Sequence, residues 1–140
     1  LCNLFQVLAE QNKIALEMVT LEEVTMMGDK VRLQQLFTNL IDNAIKYTSR
    51  GSIRVTVEKN KDSALVKIRD TGIGIPKEEQ EKIFKRFYRV DKSRSKEIGG
   101  VGLGLSIAEW IVHAHHGRIE VVSELNQGST FTVYLPAEKP

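Results

Sequence analysis

At 140 residues and 15.8 kDa, the chain has the size of one domain, large enough to bury roughly two-thirds of the surface its unfolded form exposes. Its 41% hydrophobic and 27% charged residues exclude the disordered and fibrous classes, and no run reaches the ~18 apolar residues of a membrane span or shows a secretory signal pattern. A net charge of +2 argues for no nucleic-acid or anionic-membrane partner, and the lone Cys2 cannot close an internal disulfide, in keeping with a reducing cytoplasm.

In chain order, residues 3–12 carry Leu4, Phe5, Val7, Leu8 and Ala9 as a short amphipathic helix. Ile14, Leu16 and Met18 then alternate as a strand does, and residues 24–27 read as a second short strand. The opening Leu-Cys-Asn, without methionine, reads as a piece of something longer. Asp29 after Gly28 is placed to cap a long helix running to about Thr48, with Leu33, Leu36, Phe37, Leu40, Ile41, Ala44 and Ile45 as its apolar stripe. Residues 52–59 and 64–69, joined by Asn60-Lys61-Asp62, predict an antiparallel hairpin. After Pro76 a short helix is expected from about Lys77, then a basic stretch, then a helix from about Leu103 to His116. Residues 118–124 and 129–135, with Asn126-Gln127-Gly128 as their turn, predict a closing hairpin. Strand pairs interrupted by helices predict an α+β fold, a two-layer sandwich of one mixed, mostly antiparallel sheet with helices on one face. A single domain over residues 1–140 is expected.

Four stretches carry chemistry. In Asp70-Thr71-Gly72-Ile73-Gly74-Ile75-Pro76 a carboxylate is followed by two glycines, which let the backbone turn tightly and approach a flat ligand. An ionised Asp accepts a hydrogen bond from an exocyclic amine such as adenine N6; a capping Asp in a strand-to-helix turn is the other reading. Gly99-Gly100-Val101-Gly102-Leu103-Gly104-Leu105 precedes a helix, whose unpaired N–H groups attract anions. Its G-x-G-x-G spacing is neither the dinucleotide fingerprint nor a P-loop. A mobile linker is the alternative, but two glycines where an apolar helical pattern has begun oppose helix formation by about 1 kcal/mol each.

On the long helix, Asn39, Asn43 and Lys46 share one face at i, i+4, i+7. An amide oxygen can ligate Mg²⁺ and an ammonium can meet a phosphate, although polar residues on such a face are also ordinary. Between Lys82 and Lys96, seven basic residues stand against one acid, Asp91, so the stretch carries +6. A polyanion is a fitting ligand for it. Phe84 and Phe87 read as packing residues, Tyr88 and Arg89 as flanks of a nucleotide. The histidines His113, His115 and His116 offer too few ligands for a metal and read as capping residues of a helix end.

Taken together, these residues resemble the catalytic and ATP-binding domain of sensor histidine kinases. Asn39 to Tyr47 resembles their N box, Asp70-x-Gly72-x-Gly74 the G1 box and Phe84-x-x-Phe87-Tyr88-Arg89 the F box. Gly100 to Leu105 resembles the G2 box, and Gly128-Ser129-Thr130 a glycine motif in the last hairpin. The resemblance implies the Bergerat ATP-binding fold shared with DNA gyrase, mismatch-repair ATPases and a heat-shock chaperone. It implies that Asp70 binds the adenine amino group with Tyr88 beside the base, and that Tyr47, Gly72, Gly74 and Ile75 also bind the nucleotide. It also implies that Asn43 ligates Mg²⁺, that Lys46 and Arg89 contact phosphates, and that residues from about Arg89 to Val101 form a lid. Gly100, Val101, Gly102, Leu103, Gly104 and Leu105 are implied at the phosphate end, and Thr130 of the last hairpin is implied to bind the nucleotide.

Gyrase-like hydrolases carry a Glu where this chain has Asn39. An amide is no general base for water, which favours transfer to another acceptor over hydrolysis. Asn39, Asn43, Lys46 and Arg89 are thus the expected catalytic set. Val101 departs from the Thr or Ser of many relatives and removes a hydroxyl contact.

The implied reaction is transfer of the ATP γ-phosphoryl group to a histidine. Sensor kinases carry that histidine in a helical dimerisation segment, followed by Glu or Asp, and this chain has no His-Glu or His-Asp pair. The piece is therefore expected to be a cytoplasmic monomer that binds Mg·ATP without autophosphorylating. Its parent is expected to be a dimer, commonly anchored in the inner membrane, that passes phosphate to a response regulator. The alternatives are a nucleotide-binding regulatory module without transfer activity and an anti-sigma-type serine kinase of the same superfamily.

Overall fold

The computed structural model describes residues 14–20, 29–48, 51–85 and 104–136. In chain order the elements are β1 (Ile14–Thr20), α1 (Lys30–Lys46), β2 (Gly51–Asn60), β3 (Ser63–Asp70), a 3-10 turn at Lys77–Glu79, α2 (Gly104–Ala114), β4 (Arg118–Glu124) and β5 (Gly128–Pro136). They form a five-stranded sheet in the order β1-β2-β3-β5-β4. β1 runs parallel to β2, which the crossover through α1 makes possible. The other three pairings are antiparallel. The mixed, mostly antiparallel sheet with helices packed on one side agrees with the α+β sandwich expected from periodicity. The expected helix over residues 3–12 and strand over 24–27 lie outside the described residues.

Alternation along the strands sets the two faces. Ile53, Val55, Val66, Ile68, Phe131, Val133 and Leu135 point to one side and form one buried cluster with Leu36, Leu40, Ile41, Ala44, Ala108, Ile111 and Val112 of the helices. Arg54, Arg69, Arg118 and Glu120 on the other side are exposed. Leu65 breaks this pattern: it is buried on the outer side, in register with Tyr134, over whose ring the Arg118 guanidinium lies at 4.0 Å. Stacking of this kind lets a long cationic side chain shield apolar surface.

The long helix is one turn-end shorter than its sequence pattern. Asp29 caps it as expected, its carboxylate accepting from the N–H groups of Val31 (3.0 Å) and Arg32 (3.2 Å), and Tyr47 closes it. The expected helix from Lys77 is only a 3-10 turn of three residues, none of them buried. Lys77-Glu78-Glu79 offers no apolar face to hold a longer helix, and the chain finds its anchor only at Ile83, which is 4% exposed.

α2 runs antiparallel to α1. Its start meets Asn39, whose Nδ2 donates to Gly104 O at 3.1 Å, and its end meets Asp29, whose N–H donates to His115 Nε2 at 3.0 Å. Midway, Arg32 lies over the Trp110 ring at 5.2 Å. Among the described residues no helix is long and apolar enough to cross a membrane.

Candidate functional site

Asp70 stands where β3 ends, in register with Ile53 on one side and Ser129 on the other. It is 5% exposed and, with Thr48 and Ser129, one of three buried polar residues among those described. Its Oδ1 accepts from Gly72 N–H at 2.9 Å and Ser129 N–H at 3.3 Å. Among the described residues no hydrogen bond reaches its other oxygen. Burial pushes the carboxyl above its ordinary value of 3.8, and the two backbone hydrogen bonds pull against that shift. A buried carboxylate with one oxygen tied to the main chain and the other uncommitted is suited to receive a single donor.

The loop after Asp70 is wedged between the end of α1 and the β4–β5 turn. Ile73 N–H donates to Tyr47 O at 3.2 Å, and Asn126 N–H donates to Ile73 O at 2.8 Å. The two glycines are forced by this packing. A Cβ at Gly72 would stand 2.2 Å from Tyr47 O, and one at Gly74, where φ is +73°, would stand 2.0 Å from Glu124 O. The Asp-x-Gly-x-Gly spacing thus seats the loop against its own scaffold.

Ile75 is half-buried against the core, and both of its backbone groups are taken. Its N–H donates to Ser123 Oγ at 2.7 Å and its carbonyl accepts from Gln80 Nε2 at 3.0 Å.

α1 delivers the other candidates along one side. Asn39, Asn43 and Tyr47 are half-buried and Lys46 is exposed. Lys46 Nζ pairs with Asp42 at 3.1 Å, so meeting a phosphate requires it to share or leave that partner. Asn39 is held at both ends of its amide: Gln35 Nε2 donates to its Oδ1 at 2.6 Å while its Nδ2 donates to Gly104 O. Of the glycine run, Gly104 and Leu105 fall within the described residues. Leu105 packs against the core, and at Gly104, which opens α2, no neighbouring heavy atom among the described residues lies within 4 Å of where a Cβ would stand. Tyr88, Arg89, Gly100, Val101, Gly102 and Leu103 lie outside the described residues.

One candidate is displaced by the register. Thr130 pairs with Arg69 and projects from the outer face, whereas Ser129 pairs with Asp70 and projects inward. The signal was in the sequence: Phe131, Val133 and Leu135 face the core, and counting back by two from Phe131 reaches Ser129. Ser123 and Gln80, which hold Ile75, carried no sequence signal, because a Ser in a strand and a Gln in a turn are ordinary residues until the hairpin and the loop are brought together.

His115 acts at the helix end. Its Nδ1 lies 2.8 Å from Ile111 O, which can only accept, and its Nε2 accepts from Asp29 N–H; these partners assign the Nδ1–H tautomer. Among the described residues no group of three or more His, Cys, Asp or Glu is placed to hold a metal. Asn43, a neutral oxygen donor, fits only an ion that keeps most of its ligands as water or phosphate oxygen, as Mg²⁺ does.

The comparisons with known proteins concern the family and the fold. The family described as "Histidine kinase-, DNA gyrase B-, and HSP90-like ATPase" matches residues 28–139. The chain is 46% identical over 115 residues to the sensor histidine kinase RppB of Synechocystis sp., covering 81% of this chain and 25% of that protein. Among solved structures, full-length ShkA in complex with AMPPNP superposes with a TM-score of 0.86 at 27% identity, over 99% of this chain and 28% of that one. The catalytic domain of histidine kinase ThkA superposes with a TM-score of 0.81 at 31% identity, over 96% and 86%. The chain spans about a quarter of the length of the curated relative it matches. The chain therefore belongs to the histidine kinase-, DNA gyrase B- and HSP90-like ATPase family, as a histidine kinase-type ATP-binding domain of the Bergerat fold.

Proposed function

We propose that this domain binds Mg·ATP and transfers the γ-phosphoryl group to a histidine on the dimerisation helices of a two-component sensor kinase. The observation that carries the base end is Asp70, buried, with one oxygen held by two main-chain N–H groups and the other without a hydrogen bond among the described residues. That oxygen accepts the adenine 6-amino group, which a guanine carbonyl cannot replace. Ile75 and Tyr47 flank the base, together with Tyr88 of the basic stretch. AMPPNP in the ShkA complex supports a nucleotide as ligand.

At the phosphate end, Asn43 would hold Mg²⁺ through its amide oxygen, and the ion would supply charge neutralisation at the β- and γ-phosphates. Lys46 and Arg89 meet phosphate oxygens, and main-chain N–H groups at the start of α2 would add to them. In the transfer, the bond from the γ-phosphorus to the β-bridging oxygen breaks and a bond to an imidazole nitrogen forms, leaving ADP. Asn39 supports transfer over hydrolysis: both ends of its amide are engaged, and an amide takes no proton from water. The phosphoacceptor helices, a dimeric parent anchored in the inner membrane, a cytoplasmic site and a response regulator downstream belong to the same reading.

Calorimetry on this chain tests the base end. ATP is expected to bind at least about tenfold more tightly than GTP, and Asp70→Asn to abolish that preference, as the loss of a charged hydrogen-bond acceptor implies. Equal affinity of the unaltered protein for the two nucleotides removes Asp70 from this role.

A further inference from the structure

The hydroxyl of Ser123 joins three segments that no sequence motif connects. It lies 2.7 Å from Ile75 N, 3.0 Å from Gly128 O and 2.7 Å from Ser129 Oγ. A serine hydroxyl has one proton and two lone pairs. Gly128 O can only accept, so the Ser123 proton goes there. Ile75 N–H can only donate, so it takes one lone pair. The remaining lone pair accepts from Ser129 O–H, which fixes the direction of the hydrogen bond between the serines. Every capacity of the hydroxyl is used.

Ser129 in turn is 6% exposed and gives its backbone N–H to Asp70 Oδ1. Gln80 closes the same junction from the far side, its Nε2 donating to both Ile75 O (3.0 Å) and Ser123 O (3.1 Å).

We propose that Ser123, braced by Gln80, is a specificity-determining positioning residue: through Ser129 it holds the Asp70 carboxylate in the orientation that selects a 6-aminopurine. This rests on the adenine reading of Asp70. Ser123 acts through Ser129 and Ile75, residues its hydroxyl contacts. It ties edge strand β4 to the loop on one side and to the first residues of β5 on the other, so Ser129, which gives its N–H to the carboxylate at the end of the β3–β5 ladder, is also held from the β4 side. Buried hydrogen-bond networks that are fully satisfied are the ones that specify a single arrangement.

The test compares two triphosphates by calorimetry: ATP, and purine riboside triphosphate, which lacks the 6-amino group. Ser123→Ala is expected to lower the ATP-to-purine-riboside-triphosphate affinity ratio about fivefold, the effect of about one hydrogen bond, and Ser123→Thr to restore part of it. In the Asp70→Asn background, Ser123→Ala is expected to leave the ratio unchanged, since its effect passes through that carboxylate. An unchanged ratio in the single variant, or an equal further loss in the double variant, overturns the proposal. If Ser123→Ala does not fold, Gln80→Ala is measured in its place with the same expectation and the same overturning result. Asp70→Asn alone separates the two readings. Loss of ATP preference there with no effect of Ser123→Ala rejects only the role of Ser123, whereas no effect of Asp70→Asn rejects both.

Discussion

Asp70 shows how one residue can weaken a fold while serving its ligand. Burial raises its pKa above 3.8, so the charged form is less favourable in the folded chain than in the unfolded one. The linkage follows: the protonated form contributes stability that is fully present below the unfolded value and is lost as pH rises through the raised folded value. At pH 7, in the absence of ligand, the folded chain therefore carries the cost of ionising this buried carboxyl. Asp70→Asn keeps an oxygen for the Gly72 and Ser129 N–H groups and removes the buried charge. It is expected to raise the melting temperature of the ligand-free protein at pH 7, and the gain is expected to vanish as pH falls below about 4, which melting curves from pH 3 to 8 would read directly. A variant that melts lower than the parent at pH 7 would show that the two hydrogen bonds outweigh the burial.

At the scale of elements, the end of α2 departs from the usual choice of residue. Gly117 N–H donates to Val112 O at 2.9 Å and His116 N–H to His113 O at 3.0 Å, the paired closure that ends many helices. The residue in the left-handed position of that closure is His116, at φ +61°, where glycine is favoured because it has no Cβ to strain. His116→Gly is expected to stabilise the domain by about 0.5–1 kcal/mol, measured as a shift in the urea midpoint at unchanged slope. The expected role of the histidine cluster as a helix end is thereby resolved into two parts. His115 binds the last turn to the start of α1, and His116 turns the chain toward β4.

For the whole molecule, the match to RppB covers 81% of this chain and 25% of that protein. Mg·ATP alone is expected to leave it unlabelled. With a separately prepared helical phosphoacceptor segment containing a His-Glu or His-Asp pair, it is expected to yield acid-labile phosphate on that segment, at a rate lost in Asp70→Asn. Acid-stable phosphoserine on a partner would assign it to the serine kinases instead.

The sequence alone determined the order of the five described strands and the two described α-helices, the core stripe of α1, the Asp29 cap and the placement of Asp70 before two glycines. Each of these is local: it follows from periodicity, from the chemistry of a helix start, or from residues a few positions apart. What only the tertiary structure decided joins residues far apart in the chain. It paired Asp70 with Ser129 across 59 positions, engaged Asn39 with Gly104 across 65 and seated Ile75 on Ser123 across 48. Backbone hydrogen bonding between strands fixes which distant side chains share a face, and a shift of one residue in that register would send all of them to the other side.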